Sequence, residues 1–267
     1  MISLTHTPHS HSPNFQALVF DAFGTTLNWR HTMLTALESR AATHAHAAQL
    51  QRVNWRSFLQ DWREAYKAGT REYSRVVVPL EDFVDVDTIH RRALDDLVVK
   101  YDIADVYSPV ELDELTANWH SLSAWPDASH GLDLLHRKYK LATLSGAHSA
   151  QLVDMSRHAD LRWDLVVGAD MTGTYKPNRT AYLNTLNWLG VQPHEAAMVA
   201  AHANDCRAAR SLGMRTVYVE RTLEEDEPES ITAGEFDLFI DGKTDIDNTV
   251  PTHRQTGFIE LAERLSV

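Results

Sequence analysis

FQALVFDAFGTT, residues 15–26, decides how the rest of the chain is read. Phe15 to Phe20 is a short, mostly apolar run that stops abruptly at Asp21-Ala22-Phe23-Gly24-Thr25-Thr26. A run of that length, ended by a glycine-containing turn, predicts a buried parallel strand. Such a strand delivers Asp21 to its carboxyl end, where open α/β sheets build their sites.

Outward from this strand the pattern changes twice. From Trp29 to Trp125 the chain is rich in Ala, Leu, Arg and Glu and almost free of glycine. Within it His31–Gln51, Trp55–Ser74, Leu80–Tyr101 and Pro109–Leu122 each carry apolar residues at helical spacing. After Pro126, strand-like and helix-like stretches alternate. Tyr139–Leu144, Leu165–Gly168, Ala197–Ala200, Thr216–Val219 and Phe236–Ile240 read as strands, and Gly131–Lys138, Ala147–His158, Arg179–Leu189 and Asp205–Leu212 as helices. This predicts an α/β fold, a doubly wound and mostly parallel sheet with helices on both faces. The expected organisation is a core from residues 15–29 and 126–267, a helical domain at 30–125 inserted after the first strand, and a flexible lead-in at 1–14. His6, His9 and His11 alternate in that lead-in with no neighbours to orient them, so they are not read as a metal site.

Composition narrows the function classes. The 267 residues hold 25 Lys plus Arg against 37 Asp plus Glu, a formal charge of −12. A chain so acidic repels a nucleic-acid duplex, which excludes a general polyanion-binding surface. The single cysteine, Cys206, forms no intramolecular disulfide and no thiolate metal cluster, which fits a reducing, cytoplasmic home. No apolar stretch approaches the roughly 20 residues of a membrane helix, and the N-terminus lacks the order of a secretory signal. The run Glu224-Glu225-Asp226-Glu227-Pro228-Glu229 reads as a solvated loop without a catalytic role.

On the predicted sheet, four strand ends carry polar residues: Asp21 with Thr25, then Ser145, Lys176 and Asp205. A carboxylate there serves as nucleophile, a hydroxyl with backbone amides binds an anion, and a lysine neutralises developing charge. Each also has a structural reading. Asp21, Ser145 and Asp205 suit turns or helix caps, and Lys176 suits a solvated loop.

In their order and spacing, Asp21-x-Phe23-Gly24-Thr25, Thr143-Leu144-Ser145, Lys176-Pro177 and Asp205 resemble the four motifs of the haloacid dehalogenase superfamily. The helical insertion is similar to that superfamily's cap domain, and the resemblance runs from about Gln16 to beyond Arg221. It implies a Rossmann-like core with Asp21 as the nucleophile. Magnesium-dependent phosphatases dominate the superfamily. They place a second Asp two residues after the nucleophile to protonate the leaving group, and a further acid in the fourth motif to hold the metal. Phe23 stands at the first position, and Ala200-Ala201-His202-Ala203-Asn204-Asp205 keeps only its last acid. A phenyl ring donates no proton, and two carboxylates are few for a hard cation.

An aromatic residue at position 23 instead resembles the type II branch, the 2-haloacid dehalogenases, which use no metal and no organic cofactor. The resemblance implies that Asp21 displaces halide from C2 of a short 2-haloalkanoic acid with inversion, and that water then opens the aspartyl ester to a 2-hydroxy acid. It implies a halide-accepting arginine from the cap beside a tryptophan. Trp62-Arg63 is the best match, with Trp55-Arg56 and Trp29-Arg30 as competitors. By the same resemblance Lys176 steadies nucleophile and substrate, Thr25 orients Asp21, Ser145 and the amides from Gly146 onward bind the substrate carboxylate, and Tyr182 stands near the lysine. Phe23 belongs to the same substrate-binding set, and a homodimer through the cap is implied. Departures accompany the matches. Gly146 replaces an asparagine, and Ala200 and His202 replace a serine and an asparagine that place the hydrolytic water. His202 is open to two roles, general base or hydrogen-bonding substitute. Asn204 replaces a bulky aromatic, which predicts a wider or more polar pocket. Two alternatives stand beside dehalogenation: a hydrolase acting on another substrate, a metal-dependent phosphatase included, and an organic-acid-binding protein without turnover.

Overall fold

The computed structural model describes residues 15–244 and 256–267. The expected lead-in, with its three histidines, lies outside them. β1 (Ala17–Phe20) is buried at every residue, as its unbroken apolar sequence requires. Between it and β2 (Lys140–Thr143) the chain forms α1 (Trp29–Thr43), α2 (Ala47–Leu50), α3 (Trp55–Tyr73), α4 (Val86–Lys100), α5 (Pro109–Ala117) and α6 (Ala128–Leu135). Then come α7 (Ser149–His158), α8 (Ala169–Thr172), α9 (Arg179–Leu189), β3 (Ala196–Ala200), α10 (Ala203–Ser211), β4 (Arg215–Glu220), β5 (Leu238–Asp241) and α11 (Gly257–Arg264).

The strands make one parallel sheet in the order β2-β1-β3-β4-β5. Its two faces take alternate residues of each strand. Leu18, Phe20, Val199 and Val217 pack against Leu132 of α6 and Leu261 of α11, while Ala17, Val19 and Met198 pack against Leu186 of α9 and Cys206 of α10. The chain leaves β1 for β2 on one side and for β3 on the other, so the crevice at the carboxyl ends of β1 and β3 is a topological switch point. The inserted helices bury a separate core of Trp29, Leu37, Phe58, Trp62, Leu94 and Trp119, and Phe23 from the turn after β1 joins it.

The fold class is as expected, with differences in several elements. Leu165–Gly168 is not a strand. It makes one bridge, Ala142 to Leu165, after which the Thr143 hydroxyl accepts from the Val167 N–H at 2.8 Å and donates to its carbonyl at 3.2 Å. A side chain there replaces the ladder partner. The helix expected over His31–Gln51 breaks at His44, which turns extended and packs its ring on Tyr107 with Nε2 3.1 Å from Glu111. The helix expected from Leu80 begins only at Val86, where Asp85 caps it by accepting from the Thr88 N–H at 2.8 Å. No described helix is long and apolar enough to cross a membrane.

Candidate active site

The turn after β1 places Asp21. Its N–H donates to the Val199 carbonyl at 3.0 Å, which pins the strand end to β3. Gly24 makes the reversal at φ +79°, and a Cβ on it would run into the Glu224 carboxylate. The Thr25 hydroxyl donates to Asp21 Oδ2 at 2.7 Å and accepts from the Ala201 N–H at 2.8 Å, so the end of β3 orients the hydroxyl that orients the carboxylate. Lys176, just before α9, donates from Nζ to Asp21 Oδ1 and to Asp205 Oδ2, both at 2.6 Å. Tyr182 donates to Asp205 Oδ1 at 3.4 Å. His202, which precedes α10, sets Nδ1 3.2 Å from Asp21 Oδ2 and Nε2 3.6 Å from Glu224 Oε2.

These contacts settle the charges. Burial by itself raises the Asp21 carboxyl, but Lys176 and His202 outweigh it and hold the group far below the usual carboxylate range. Burial lowers the His202 imidazole, yet Asp21 and Glu224 push it up to about 10 in spite of the neighbouring Arg63. Lys176, likewise disfavoured by burial, is raised by Asp205 and Asp21. At neutral pH the site therefore holds an ionised Asp21 between two cations. A charged His202 has no lone pair to offer as a base in this state.

Asp21 opens onto a cavity of about 530 Å³, walled by Phe23 and Gly146 beside it and by Arg63 and Tyr66 of α3 opposite. The Arg63 guanidinium lies 5.2 Å from the Trp29 ring and 5.1 Å from the Tyr66 ring, with NH2 3.5 Å from His202 Nε2. Of the three tryptophan–arginine pairs, Arg63 alone lines this cavity. Arg30 stacks on Trp29 at 4.5 Å and is spent on Gln60 and the Leu223 carbonyl, and Arg56 is exposed. Lys176, His202, Asn204 and Asp205 also line the cavity, whereas Thr25, Ser145 and Tyr182 do not. Ser145 is turned into its own loop, its Oγ accepting from the Ala147 N–H at 3.2 Å. Gly146 sits where an added Cβ would collide with the Tyr66 hydroxyl.

Several site residues escape the sequence reading. Tyr66, Lys67 and Arg71 reach the cavity from α3, and the spacing of Arg63, Lys67 and Arg71 by four marks one helical face that points there. The acidic run is the larger correction. Glu224 is buried, its Oε2 accepting from the Trp29 indole N–H at 3.0 Å, and its Oε1 has no protein hydrogen-bond partner among the described residues. Glu225 accepts from the Ala203 N–H at 2.7 Å at the start of α10, and Asp226 pairs with Lys67 at 2.5 Å. Within the run, Glu224 is buried beside Trp29 and His202 and Asp226 lines the cavity, whereas Glu227 and Glu229 are exposed.

A hard dication of the phosphatase kind wants several oxygen ligands. Here Asp21 Oδ2 faces the charged His202, Lys176 holds both Asp21 Oδ1 and Asp205, and Ala201 offers a methyl group. Asp21, His202 and Asp205 bring one ligand atom each within 4.8 Å of one another, two carboxylate oxygens and a ring nitrogen, fewer oxygens than such an ion wants.

The structure superposes on that of the L-2-haloacid dehalogenase PA0810 with a TM-score of 0.79, at 27% identity over 94% of this chain and 99% of the other. It superposes on the defluorinating L-2-haloacid dehalogenase Rha0230 with a TM-score of 0.76, at 30% identity over 96% and 98%. Among curated sequences, the phosphoglycolate phosphatase of Chromobacterium violaceum is 32% identical over 100 residues; the match spans 36% of this chain and 45% of the relative, less than half its length. The family described as haloacid dehalogenase-like hydrolase matches residues 15–213. With the Asp21 turn, Lys176 and Asp205 gathered at one switch point under an inserted helical layer, the chain belongs to the haloacid dehalogenase-like hydrolase family.

Proposed function

We propose that this hydrolase removes halide from short 2-haloalkanoic acids without a metal or organic cofactor. On this reading residues 30–125 act as the cap over a core of 15–29 and 126–267. Asp21 attacks C2 from the side opposite the carbon–halogen bond, halide leaves toward Arg63, and C2 is inverted as an aspartyl ester forms. Water then adds to the Asp21 carboxyl carbon, the ester opens, and a 2-hydroxy acid and halide are released. The observation that carries the proposal is an ionised Asp21 facing Arg63 across a cavity whose position 23 is a phenyl ring. A halide leaves without a proton, so Phe23 costs this reaction nothing, whereas a phosphate ester's alcohol needs the acid that Phe23 lacks. The two dehalogenase neighbours above 25% identity support the same chemistry and the L enantiomer.

The test is halide release from each enantiomer of 2-chloropropionate in EDTA, with fluoroacetate alongside and Asp21→Asn as control. Release from the L enantiomer by the wild type alone is expected. Full release by Asp21→Asn removes the covalent mechanism, and no release by the folded wild type removes dehalogenation. The match to a phosphoglycolate phosphatase favours one rival reading, and magnesium-dependent phosphatase activity abolished by EDTA would establish it.

A further inference from the structure

The two oxygens of Asp21 are not equivalent. Oδ2 receives the Thr25 hydroxyl at 2.7 Å and faces His202 Nδ1 at 3.2 Å, while Oδ1 receives Lys176 alone at 2.6 Å. Oδ1 therefore has the lone pair to spare for C2. Once it is alkylated, Oδ2 is the ester carbonyl, already set between a hydroxyl donor and a ring N–H.

We infer that His202 is the catalytic electrophile of ester hydrolysis, stabilising the oxyanion that forms on Asp21 Oδ2, and that buried Glu224 is the positioning residue that keeps it a donor. This rests on the dehalogenase reading and adds the roles of two residues to it. In the step, the oxygen of water bonds to the Asp21 carboxyl carbon while a proton passes from that water to Asp205, which lines the same cavity. The carbonyl pair moves onto Oδ2, where Thr25 and His202 hold it. Collapse re-forms that carbonyl and breaks the bond from the carboxyl carbon to Oδ1. Oδ1 leaves as the hydroxyl oxygen of the product and takes the proton from Asp205, and Asp21 returns to a carboxylate as its own proton goes to solvent.

Glu224 is suited to this role by its surroundings. Its carboxylate is buried and anchored through Oε2 to the Trp29 indole, and that same Oε2 lies 3.6 Å from His202 Nε2. Alkylation cancels the charge on Asp21, so Glu224 becomes the anion left in contact with the ring. Arg63 from α3 faces the ring at 3.5 Å and opposes its charge, and Asp226, on the same loop as Glu224, is close enough to feel it. A neutral base at this position would need one ring nitrogen free of carboxylates, and both face one.

The experiment has two arms on the full chain. In the first, nitrogen-15 NMR follows the His202 ring against pH in wild type and Glu224→Gln. The wild-type ring is expected to stay doubly protonated through pH 8, and the Glu224→Gln ring to titrate at a lower pH than wild type while Asp21 still holds it above an ordinary imidazole. A wild-type ring that titrates near 6.5, or a titration unmoved by Glu224→Gln, overturns the role of Glu224 whatever the substrate. In the second, rapid quench with 2-chloropropionate measures halide and the mass of the Asp21 peptide in a single turnover. His202→Ala is expected to release about one equivalent of halide and then accumulate ester, with hydrolysis slowed about 10²- to 10³-fold, and Glu224→Gln is expected to slow it about tenfold. Wild-type rates of ester hydrolysis in both variants, or loss of the halide burst together with ester formation, overturn the inference. Absence of halide from the wild type overturns the dehalogenase reading itself, a result distinct from either.

Discussion

Arg63 shows how much one residue of this site depends on its shape. Its guanidinium lies over the rings of Trp29 and Tyr66 and has no carboxylate within ion-pair distance among the described residues, so its charge is directed at the cavity. A lysine keeps the charge but loses the planar fork and the ring contacts. On the dehalogenase reading, Arg63→Lys is expected to lower kcat/KM for halide release about 10²-fold, as loss of an oriented charge stabiliser does. Arg56→Lys, an exposed change on the same helix, is expected to stay within about twofold. Equal losses in the two variants, measured by steady-state halide release, would remove Arg63 from its assigned place. Asp21 was legible because a strand end in an open sheet opens on a crevice, whereas Lys176 and Asp205 were legible through the motif order, since Lys176 stands in the loop before α9 and Asp205 in the first turn of α10 rather than at strand ends. Arg63 was legible as one of three tryptophan–arginine pairs, and only packing of α1 against α3 separates them.

At the scale of elements, the turn after β1 and the loop after β4 are built as one unit. Gly24 at φ +79° leaves the space that the Glu224 carboxylate fills, and the Arg221 guanidinium at the end of β4 donates from Nε to the Thr25 carbonyl at 3.0 Å while gripping Asp127 at 2.6 and 2.9 Å. Gly24→Ala meets both a backbone penalty of roughly 1–2 kcal/mol for a side chain at positive φ and a collision with Glu224. Denaturant midpoints are expected to fall for Gly24→Ala, and Glu224→Ala in the same chain is expected to recover part of the loss, a positive coupling in a double-mutant cycle. Strict additivity of the two changes would mean that the turn and the loop are independent. Gly24 could be read from sequence as a turn residue. That it also vacates room for a carboxylate 200 positions away could not.

Across the whole molecule, two buried or half-buried histidines tie stability to pH from opposite sides. His90 of α4 is sandwiched between Trp119 at 4.1 Å and Tyr66 at 5.0 Å, and burial together with Arg63 pushes its imidazole down to about 3 against a smaller upward pull from Asp87. The unfolded chain takes up that proton below about 6.5 and the folded one does not, so stability falls as pH drops from there toward about 3. His120, beyond α5, lies 2.9 Å from Asp87 and 2.9 Å from Asp154, and those bonds raise it to about 9 against the cost of burial. Its contribution is complete below about 6.5 and is lost as pH rises through about 9. Thermal unfolding is expected to show a maximum near neutral pH, with His90→Phe flattening the acid limb and His120→Gln the alkaline one. Unchanged limbs in both variants would assign the pH dependence elsewhere. His148, which caps the N-terminus of α7, meets the same Asp87 at 2.8 Å, so one carboxylate of the inserted helices is shared with the start of a core helix. Its Nδ1 accepts from the Gln151 N–H at 3.2 Å, so in the neutral ring the proton stands on Nε2, toward Asp87.

By itself the sequence determined the parallel sheet, the helical insertion and the strand-end residue Asp21. Apolar runs ended by turns, and helical spacing between them, are local properties of a chain, and strand ends inherit their place from the sheet. Tertiary structure alone decided that Glu224 is buried while Glu227 and Glu229 are exposed, that Arg63 rather than Arg30 faces the cavity, that Ser145 turns away from it, and that His202 stands between two carboxylates. Each of those depends on which distant groups close over a residue. Burial and opposite charges act through space, and a run of acids or a histidine carries no record of either in its own stretch of sequence.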